Sequence, residues 1–355
     1  MLIAAVIVTV LIVVILVVTG MDMTSATKVG LIMTGNATDS GWNGMHYSGV
    51  VSACEKLETR LVIKENVAED TGMCSKAIEE LVSDGADVVI LSSYGYPESA
   101  ADTISAYPNI AFYGIYSDYE ADNITTYFGR MYQARYLSGI VAGMQSETGR
   151  IGYVAAMSNN EVNRGINAFT LGVRSVAPDA EVYVTWTGSW DNSEAEKSAV
   201  NKLVNEKGVD VITYHQNQSY AAEAADALGV YSIGYNEEAD GLSDKYLTAV
   251  VWNWDSLYYE VIREYLQGKG NYVGHRWFGL DRGVVGLSEY SPLVSEDIRL
   301  AVENARNGLL SGGEVFSGDI FDTNGVQRCA DGERIGDRIL LEEMYWFVDG
   351  VVIYE

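Results

Sequence analysis

The sequence predicts an α/β protein of two doubly wound parallel-sheet lobes, preceded by an N-terminal apolar segment. Short runs rich in valine and isoleucine alternate with helical stretches, and this βα series restarts once along the chain. Continuous apolar strands separated by helices are typical of parallel sheet that is covered on both faces. The 355 residues are enough for two such lobes, each with its own hydrophobic core.

The first βα series begins at Lys28. Its predicted strands are Lys28–Thr34, Arg60–Glu65, Asp87–Leu91, Ile110–Ile115 and Ile124–Phe128. Its predicted helices are Trp42–Leu57, Gly72–Ser83 and Pro97–Ala106. Because strands and helices alternate, we expect one parallel sheet with helices on both faces.

The series restarts with a helix at Met131. The predicted helices of this second series are Met131–Met144, Arg164–Val176, Ser193–Asn205 and Tyr220–Leu228. Its predicted strands are Arg150–Ala155, Glu181–Trp186, Asp210–Thr213 and Val230–Tyr235. Two successive series indicate two lobes of the same class.

Further elements follow the second series. They are a strand at Leu247–Trp252 and helices at Asp255–Leu266 and Ser295–Leu310. Elements beyond two complete lobes indicate that the chain crosses back between them. We therefore expect a first lobe of residues 27–129 and 250–282, and a second lobe of residues 130–249 and 283–355. No Pro/Gly/Ser-rich linker separates them, so the connection should be short and structured, as a hinge should be.

The N-terminal apolar segment is an unbroken run of Leu, Ile, Val and Ala with one Thr, from Leu2 to Val18. Its length is near the lower limit for a bilayer span, and no soluble domain needs it. We expect residues 1–20 to be a signal peptide or a membrane anchor, and both forms imply export. A lipoprotein signal would need a cysteine just after the apolar run, and the first cysteine is Cys54.

Charge and motifs exclude several classes of function. The chain has 49 acidic and 23 basic residues, a formal net charge of −26, which repels nucleic-acid phosphates. The sequence contains no GxGxxG after a strand, no GxxxxGK[ST], no GxSxG and no HExxH. The three histidines have no metal-ligand spacing, and the three cysteines are expected to be unpaired rather than to include a Cys54–Cys74 bridge. We expect no enzymatic activity, no metal and no cofactor.

Loops at the carboxyl ends of the predicted strands should form the ligand site, as in other open α/β sheets. These loops are rich in Trp and Tyr interleaved with Asp, Asn, Gln and Glu, and they lack Lys and Arg. Flat rings can hold a planar heterocycle while amides and carboxylates bind its polar edge. The candidate ligand-binding residues are Asp39, Trp42, Asn43, Tyr47, Glu98, Trp190, Gln216, Asn236 and Trp252.

Several of these residues also have a structural interpretation. Asp39 could cap the first helix, and Glu98 could be a charge at a helix N-terminus. Tyr47 and Trp190 could be core aromatics. Trp252 and the tryptophan two residues later are both candidates for the cleft, and we expect only one of them to face it. A carboxylate pair of a glycosidase kind, Asp39 with Glu98, has no other support in the sequence.

Several long segments, in order, resemble the basic-membrane-protein family of ABC-transporter substrate-binding proteins, the group that includes the purine nucleoside receptors. The resemblance covers about residues 28–350. It is carried by Asp39–Asn43 (D-x-G-W-N), Tyr127–Met144, Arg164–Val182, Trp186–Asn192, Val230–Glu238, Val250–Trp254 and Trp346–Val352. It implies a type I periplasmic-binding fold that delivers a purine to a membrane permease.

Carried over by position, the resemblance implies that Asp39 and Asn43 hydrogen-bond the base, that Tyr47 stacks on it, and that Trp190 supplies an aromatic ring from the second lobe. Two positions depart from nucleoside-binding members. Asn236 stands where they have an aspartate that binds the ribose, and Trp252 stands where they have a lysine that contacts the ligand. Both changes weaken the sugar clamp, so a free nucleobase is expected at least as much as a nucleoside.

The sequence therefore predicts an extracytoplasmic binding protein, anchored or secreted, that acts as a monomer and closes two lobes around a small planar ligand. An ABC permease would be its partner. One alternative is a ligand-sensing domain for a membrane signalling partner, which would suit an uncleaved anchor. Another is a nucleoside-processing enzyme on the same two-lobed plan.

Overall fold

The computed structural model describes residues 26–39, 41–236, 238–269 and 274–354. The expected signal peptide or anchor at residues 1–20 lies outside the described residues. Across the described ranges, no helix combines the length and the apolar character needed to cross a bilayer.

The structure has fifteen strands and eleven α-helices over the described residues, numbered here in chain order. The strands are β1 (Lys28–Ile32), β2 (Arg60–Lys64), β3 (Val88–Leu91), β4 (Ala111–Ile115), β5 (Ile124–Gly129), β6 (Arg150–Ala155), β7 (Glu181–Trp186), β8 (Val211–His215), β9 (Tyr231–Asn236), β10 (Tyr246–Trp252), β11 (His275–Phe278), β12 (Val285–Leu287), β13 (Ile320–Phe321), β14 (Gln327–Cys329) and β15 (Val351–Ile353). The helices are α1 (Trp42–Lys56), α2 (Thr71–Ser83), α3 (Tyr96–Ser99), α4 (Ala101–Ala106), α5 (Met131–Gln145), α6 (Asn160–Val176), α7 (Ser193–Lys202), α8 (Tyr220–Ala227), α9 (Trp254–Leu266), α10 (Glu296–Leu310) and α11 (Asp337–Glu342).

Two large sheets define the two lobes. The first has six parallel strands in the order β11-β5-β4-β3-β1-β2. The second has seven strands in the order β12-β10-β9-β8-β6-β7-β15, all parallel except the β10–β12 pair. The predicted class, an α/β protein of two parallel-sheet lobes, is confirmed.

The first sheet separates two hydrophobic clusters, one on each face. Cys54 of α1 belongs to the cluster on one face, and Cys74 of α2 belongs to the cluster on the other. Successive helices of a doubly wound unit cover opposite faces of the sheet, which accounts for this separation. Both thiols, and that of Cys329, are buried and free.

Helices α5 and α6 of the second lobe pack with their backbones in close contact. A Cβ atom at Gly139 would lie 2.1 Å from the carbonyl oxygen of Phe169, and one at Gly172 would lie 2.0 Å from that of Tyr136. Only glycine permits this approach. The contact fixes the direction of α6, whose N-terminus borders the cleft between the lobes.

The chain crosses between the lobes between β5 and α5, between β10 and α9, and between β11 and β12. We expected the chain to return to the first lobe at residue 250. The second crossing corrects this boundary, because the chain returns only after residue 252. Strand β10 pairs with β9 as far as Val251 and with β12 as far as Trp252, so residues 250–252 belong to the second sheet. The ladder of hydrogen bonds continues through these apolar residues and ends at Asn253, where the chain leaves for α9.

The largest differences from the predicted elements lie near the cleft and at the C-terminus. Helix α6 begins at Asn160, four residues before the predicted start, because the side chain of Asn159 caps it by accepting a hydrogen bond from the Val162 amide at 2.9 Å. Strands β11 and β12 and everything after α10 were not predicted. Strands β12 to β15 have two or three residues each, which is too short to show a period in the sequence, and β11 (HRWF) has four residues without an apolar run.

Candidate ligand-binding site

A cavity of about 400 Å³ lies between the lobes at the carboxyl ends of the central strands. The first lobe lines it with Thr34, Trp42, Asn43, Glu69, Ser93 and Tyr94. The second lobe lines it with Glu161, Trp190, His215, Asn217, Tyr235 and Asn236. Four predicted site residues therefore border one cavity, namely Trp42, Asn43, Trp190 and Asn236.

Aromatic rings from both lobes face this cavity. On the first lobe, Trp42 lies nearly parallel to Tyr94, with 6.4 Å between ring centroids. The indole Nε1 of Trp42 donates to the Ser92 carbonyl at 2.8 Å, which fixes the plane of the ring. On the second lobe, Trp190 meets the edge of His215 at 5.9 Å. Rings on opposite walls are an arrangement that can hold a flat ligand.

The cavity-facing rings of the first lobe are part of a closed aromatic cluster of Trp42, Tyr94, Phe128, Trp252 and Trp254. Neighbouring centroids in it are 4.7–6.4 Å apart, and the two tryptophans at the β10–α9 crossing stack at an interplanar angle of 14°. The cluster joins the cavity wall to the segment that connects the lobes. Trp252 is 94% buried within it, since its relative exposure is 6%.

The loop after β1 holds Asn43 and Asp39 close together. The Oδ1 atom of Asn43 accepts a hydrogen bond from the Thr34 hydroxyl at 3.1 Å, and the Asp39 carboxylate accepts from the Asn36 amide at 2.7 Å. A Cβ atom at Gly35 would lie within 2.5 Å of both side chains, so a larger residue there would displace them from these positions. Asp39 therefore stabilises its own loop, and Gly41 occupies the N-cap position of α1.

Asp39 and Trp252 do not border the 400 Å³ cavity. Both line an adjoining groove of about 590 Å³ between α1 and the β10–α9 crossing, which shares Asn236 with the cavity. Trp252 was expected to contact the ligand directly. This expectation is corrected, because the ring of Trp252 packs in the aromatic cluster instead of bordering the cavity. A Cβ atom at Gly129 would lie 2.2 Å from that ring, so the crossing segments pack directly on each other.

Tyr47 and Glu98 lie away from the cavity. Tyr47 borders a separate surface pocket with Val51, Cys54 and residues of β2, because it sits one helical turn beyond Asn43 on the stripe of α1 that faces the sheet edge. Glu98 is an exposed residue in the first turn of α3, and the Ser117 hydroxyl donates to it at 3.4 Å. The predicted contacts of these two residues with a ligand are corrected.

Gln216 is fully buried, and its side-chain amide stabilises the loop after β7. In the orientation that satisfies both ends of its amide, the nitrogen donates to the Ser189 carbonyl and the oxygen accepts from the Thr187 hydroxyl, each at 2.8 Å. The neighbouring residues His215 and Asn217 border the cavity instead. Side chains alternate in direction along extended chain, so the residues on either side of Gln216 face the ligand site. In the sequence, this alternation after β8 was the signal that could have identified His215 and Asn217 as site residues.

Glu161 and His215 are two polar residues of the cavity that were not among the predicted site residues. The Glu161 carboxylate accepts from the Tyr94 hydroxyl of the other lobe at 3.0 Å, and it lies 3.8 Å from His215 Nε2. Burial would raise the pKa of Glu161, but the interactions with His215, Arg164 and Tyr94 outweigh it and lower the pKa. Burial lowers the pKa of His215 to about 4. A carboxylate thus stands beside a neutral imidazole at pH 7.

A second compartment of about 380 Å³ adjoins the first and shares Tyr94, Glu161 and Trp190 with it. The C-terminal segment closes one side of this compartment with Leu341 of α11. Glu342 of the same helix accepts from the Tyr116 hydroxyl of the first lobe at 3.0 Å. Two tyrosine–glutamate hydrogen bonds, Tyr94–Glu161 and Tyr116–Glu342, therefore join the lobes across the cleft.

Glu196 of α7, which follows the Trp190 loop, makes stability depend on pH. It is fully buried, and burial raises its pKa from 4.5 to about 7. The folded state therefore holds a proton that the unfolded state releases, and stability should fall as pH rises from about 4.5 through 7. We expect Glu196→Gln to raise the free energy of unfolding at pH 8 by roughly 2 kcal/mol, and to change it little at pH 4.5. Urea denaturation of both proteins at the two pH values measures this.

The matched control for that experiment is Glu194→Gln, which changes an exposed glutamate in the same helical turn. It should leave the difference between the two pH values as in the unmodified protein. A Glu196→Gln protein with the same pH dependence as the parent would contradict the assignment.

Two parallel-sheet lobes, three crossings and a ligand-sized cavity between strand ends define the class of two-lobed solute-binding proteins. The chain belongs to the Bmp family, whose sequence model, described as ABC transporter substrate-binding protein PnrA-like, matches residues 26–315. The resemblance that the sequence indicated is confirmed.

Similar proteins agree with this assignment. A purine-binding protein of Brucella abortus is 30% identical over 331 residues, which span 91% of this chain and 92% of that protein. A putative ABC transporter glucose-binding protein of Haloferax volcanii is 31% identical over 318 residues, 88% of this chain and 77% of that one. The crystal structure of an ABC transporter solute-binding protein from Conexibacter woesei covers 81% of this chain and 97% of its own, with a TM-score of 0.68 and 19% identity. That likeness concerns the fold alone.

Proposed function

We propose that this ABC transporter substrate-binding protein works outside the cytoplasmic membrane and holds a purine nucleobase or nucleoside between its lobes. The observation that carries the proposal is the cavity with aromatic rings on both walls, Trp42 and Tyr94 on one lobe and Trp190 on the other. A planar heterocycle gains most from such walls. The name of the Brucella relative supports the same ligand class.

Binding proceeds by closure of the lobes. Each wall belongs to a different lobe, so a ligand makes all its contacts only when the lobes are together, and it shifts the equilibrium toward that state. The Tyr94–Glu161 and Tyr116–Glu342 hydrogen bonds form in the same movement. The closed molecule is then what a permease recognises, and the protein catalyses no step.

The site residues that we assign to the ligand are Trp42, Asn43, Tyr94, Glu161, Trp190 and Asn236, which all border the cavity. A sugar is the second candidate, because the Haloferax relative is named for glucose and carboxylates and amides can also bind hydroxyl groups. The aromatic walls favour the purine.

A thermal-shift and calorimetry panel on the purified protein decides between them. The panel contains adenine, hypoxanthine, their ribonucleosides, and glucose, and we expect stabilisation by at least one purine and none by glucose. Stabilisation by glucose alone would overturn the ligand assignment. Release of free base from a nucleoside during the incubation would show an enzyme and overturn the transport role.

A further inference from the structure

Glu161 is placed where a ligand in either compartment of the cleft must meet it. It is the second residue of α6, and it borders both the 400 Å³ and the 380 Å³ compartments. Its side chain keeps 18% of its surface exposed. One carboxylate oxygen, Oε2, accepts from the Tyr94 hydroxyl, which leaves the other with capacity for a donor.

Ionisation makes Glu161 a pure acceptor. Its pKa lies below the ordinary value, and its neighbour His215 is neutral at pH 7, as described above. An ionised carboxylate cannot donate a hydrogen bond, so a ligand carbonyl or ring nitrogen without hydrogen that faced it would remain unpaired. Only an N–H or O–H group of a ligand satisfies this position.

Asn236 also lines this cavity and holds a second, buried acceptor. Its Nδ2 group donates to the Gln216 carbonyl at 3.2 Å, which fixes the amide orientation and directs Oδ1 the other way. Asn236 is 2% exposed, and its Oδ1 atom has no hydrogen-bond partner among the residues that the structure describes. A positive φ of 75°, which asparagine tolerates better than most residues, holds the side chain in place.

Basic side chains stand outside the larger compartment. None of its twelve lining residues in the described chain is Lys or Arg, and Glu69 adds a further carboxylate that accepts from the Gly95 amide at 2.7 Å. Arg164 lines only the smaller compartment, where its guanidinium donates to the Leu340 carbonyl at 2.6 Å. The guanidinium of Arg135 lies behind the cavity wall, 4.2 Å from the ring centroid of Tyr235, and does not line the compartment. The larger compartment thus offers acceptors and negative charge to a ligand.

We propose that Glu161, assisted by Asn236, is the specificity-determining residue of the site and selects heterocycles that carry an exocyclic amino group over their oxo counterparts. This inference rests on the proposed function, since it assumes a planar heterocycle in the cleft. An amino group donates to Oε1, the carboxylate oxygen that Tyr94 does not occupy and that lies 3.8 Å from His215 Nε2. A carbonyl in the same place turns its partial negative charge toward that oxygen and forms no hydrogen bond with it.

Calorimetric titration of the purified protein with adenine and hypoxanthine tests the proposal, because adenine carries an amino group at C6 and hypoxanthine an oxo group there, with a hydrogen on the neighbouring N1. We expect adenine to bind roughly 10- to 100-fold more tightly, the range that one hydrogen bond to a charged group supplies. In Glu161→Gln the new amide can donate to a carbonyl. Affinity for adenine should therefore fall by about tenfold, while affinity for hypoxanthine stays or rises.

The matched control is Glu98→Gln, which removes the charge of an exposed glutamate away from both compartments. It should leave both affinities unchanged. If the unmodified protein binds neither these bases nor their ribonucleosides, the proposed function itself fails. If it binds both equally, or if Glu161→Gln weakens both by the same factor, the purine site stands and the role of Glu161 in selection is overturned.

Discussion

Replacing Trp190 by alanine should weaken binding of a planar ligand by about 10- to 100-fold, the range given by base–aromatic stacking of about 1–3 kcal/mol. Trp190 borders both compartments of the cleft and is the large aromatic wall that the second lobe supplies. Its backbone carbonyl accepts from the Asn217 amide at 2.8 Å, so the loop keeps an anchor when the side chain is removed. Calorimetric titration with the purine identified by the ligand panel measures the loss.

Two further variants separate stacking from general damage in that experiment. Trp190→Phe keeps a ring and should recover most of the affinity. Tyr47→Ala removes a partly buried aromatic that lies outside the cleft, and it should leave the affinity as it was. Full binding by Trp190→Ala, or an equal loss in Tyr47→Ala, would contradict the placement of the ligand between the lobes.

Replacing Arg135 by alanine should destabilise the protein by about 3 kcal/mol or more. Arg135 of α5 is fully buried, and its guanidinium lies 4.2 Å from the ring centroid of Tyr235 and 5.3 Å from that of Tyr153. It also donates to the Tyr214 carbonyl at 2.9 Å. The variant loses two cation–π contacts, leaves that carbonyl unpaired and creates a cavity. The midpoint of urea unfolding measures the change.

The control for Arg135 is Arg150→Ala, which removes an exposed arginine at the start of β6 and should shift the midpoint little. Arg135→Met tests the cause, because it keeps most of the volume without the charge. If Arg135→Met is as stable as the parent, packing and not the guanidinium holds this core. If Arg135→Ala is as stable as Arg150→Ala, the prediction is wrong.

The C-terminal segment beyond residue 315, which the family model does not cover, contributes to the second sheet and to the cleft. It adds β15 to the edge of the second sheet and places α11 against the cleft. Asn163 and Arg164 of α6 donate to the Met344 and Leu340 carbonyls, so the segment is held by the same helix that carries Glu161. Through the hydrogen bond between Tyr116 and Glu342 it also contacts the first lobe.

Some residues that border the cavity were predicted from the sequence, and others were not. Trp42, Asn43, Trp190 and Asn236 border the cavity, and each follows a strand that hydrophobic periodicity makes visible. Glu161 also lies in a predicted loop, before the predicted helix start at Arg164, but no local pattern distinguishes this glutamate from a solvent-exposed one.

The errors share a physical cause. Gln216 and Tyr47 lie in segments that border the cleft, but their side chains point elsewhere. In an extended segment such as that of Gln216, side chains alternate in direction, so the neighbouring residue faces the cleft instead. In a helix such as that of Tyr47, the position around the helix axis decides which side chain faces the cleft. Trp252 turns into the aromatic cluster because Phe128 and Trp254, remote from each other in sequence, meet there. No local sequence pattern predicts a contact between residues so far apart in the chain.

The sequence by itself determined the fold class, the two lobes, the family and the edge of the sheets where the candidate cavity lies. Those properties follow from the period of apolar residues and from motifs read along the chain. Only the tertiary structure decided that Glu161, Tyr94 and His215 meet in one cavity and that residues 250–252 stay with the second sheet. Contacts between residues far apart in the chain are set by packing and by the register of the sheets, and these are fixed only when both lobes fold and come together.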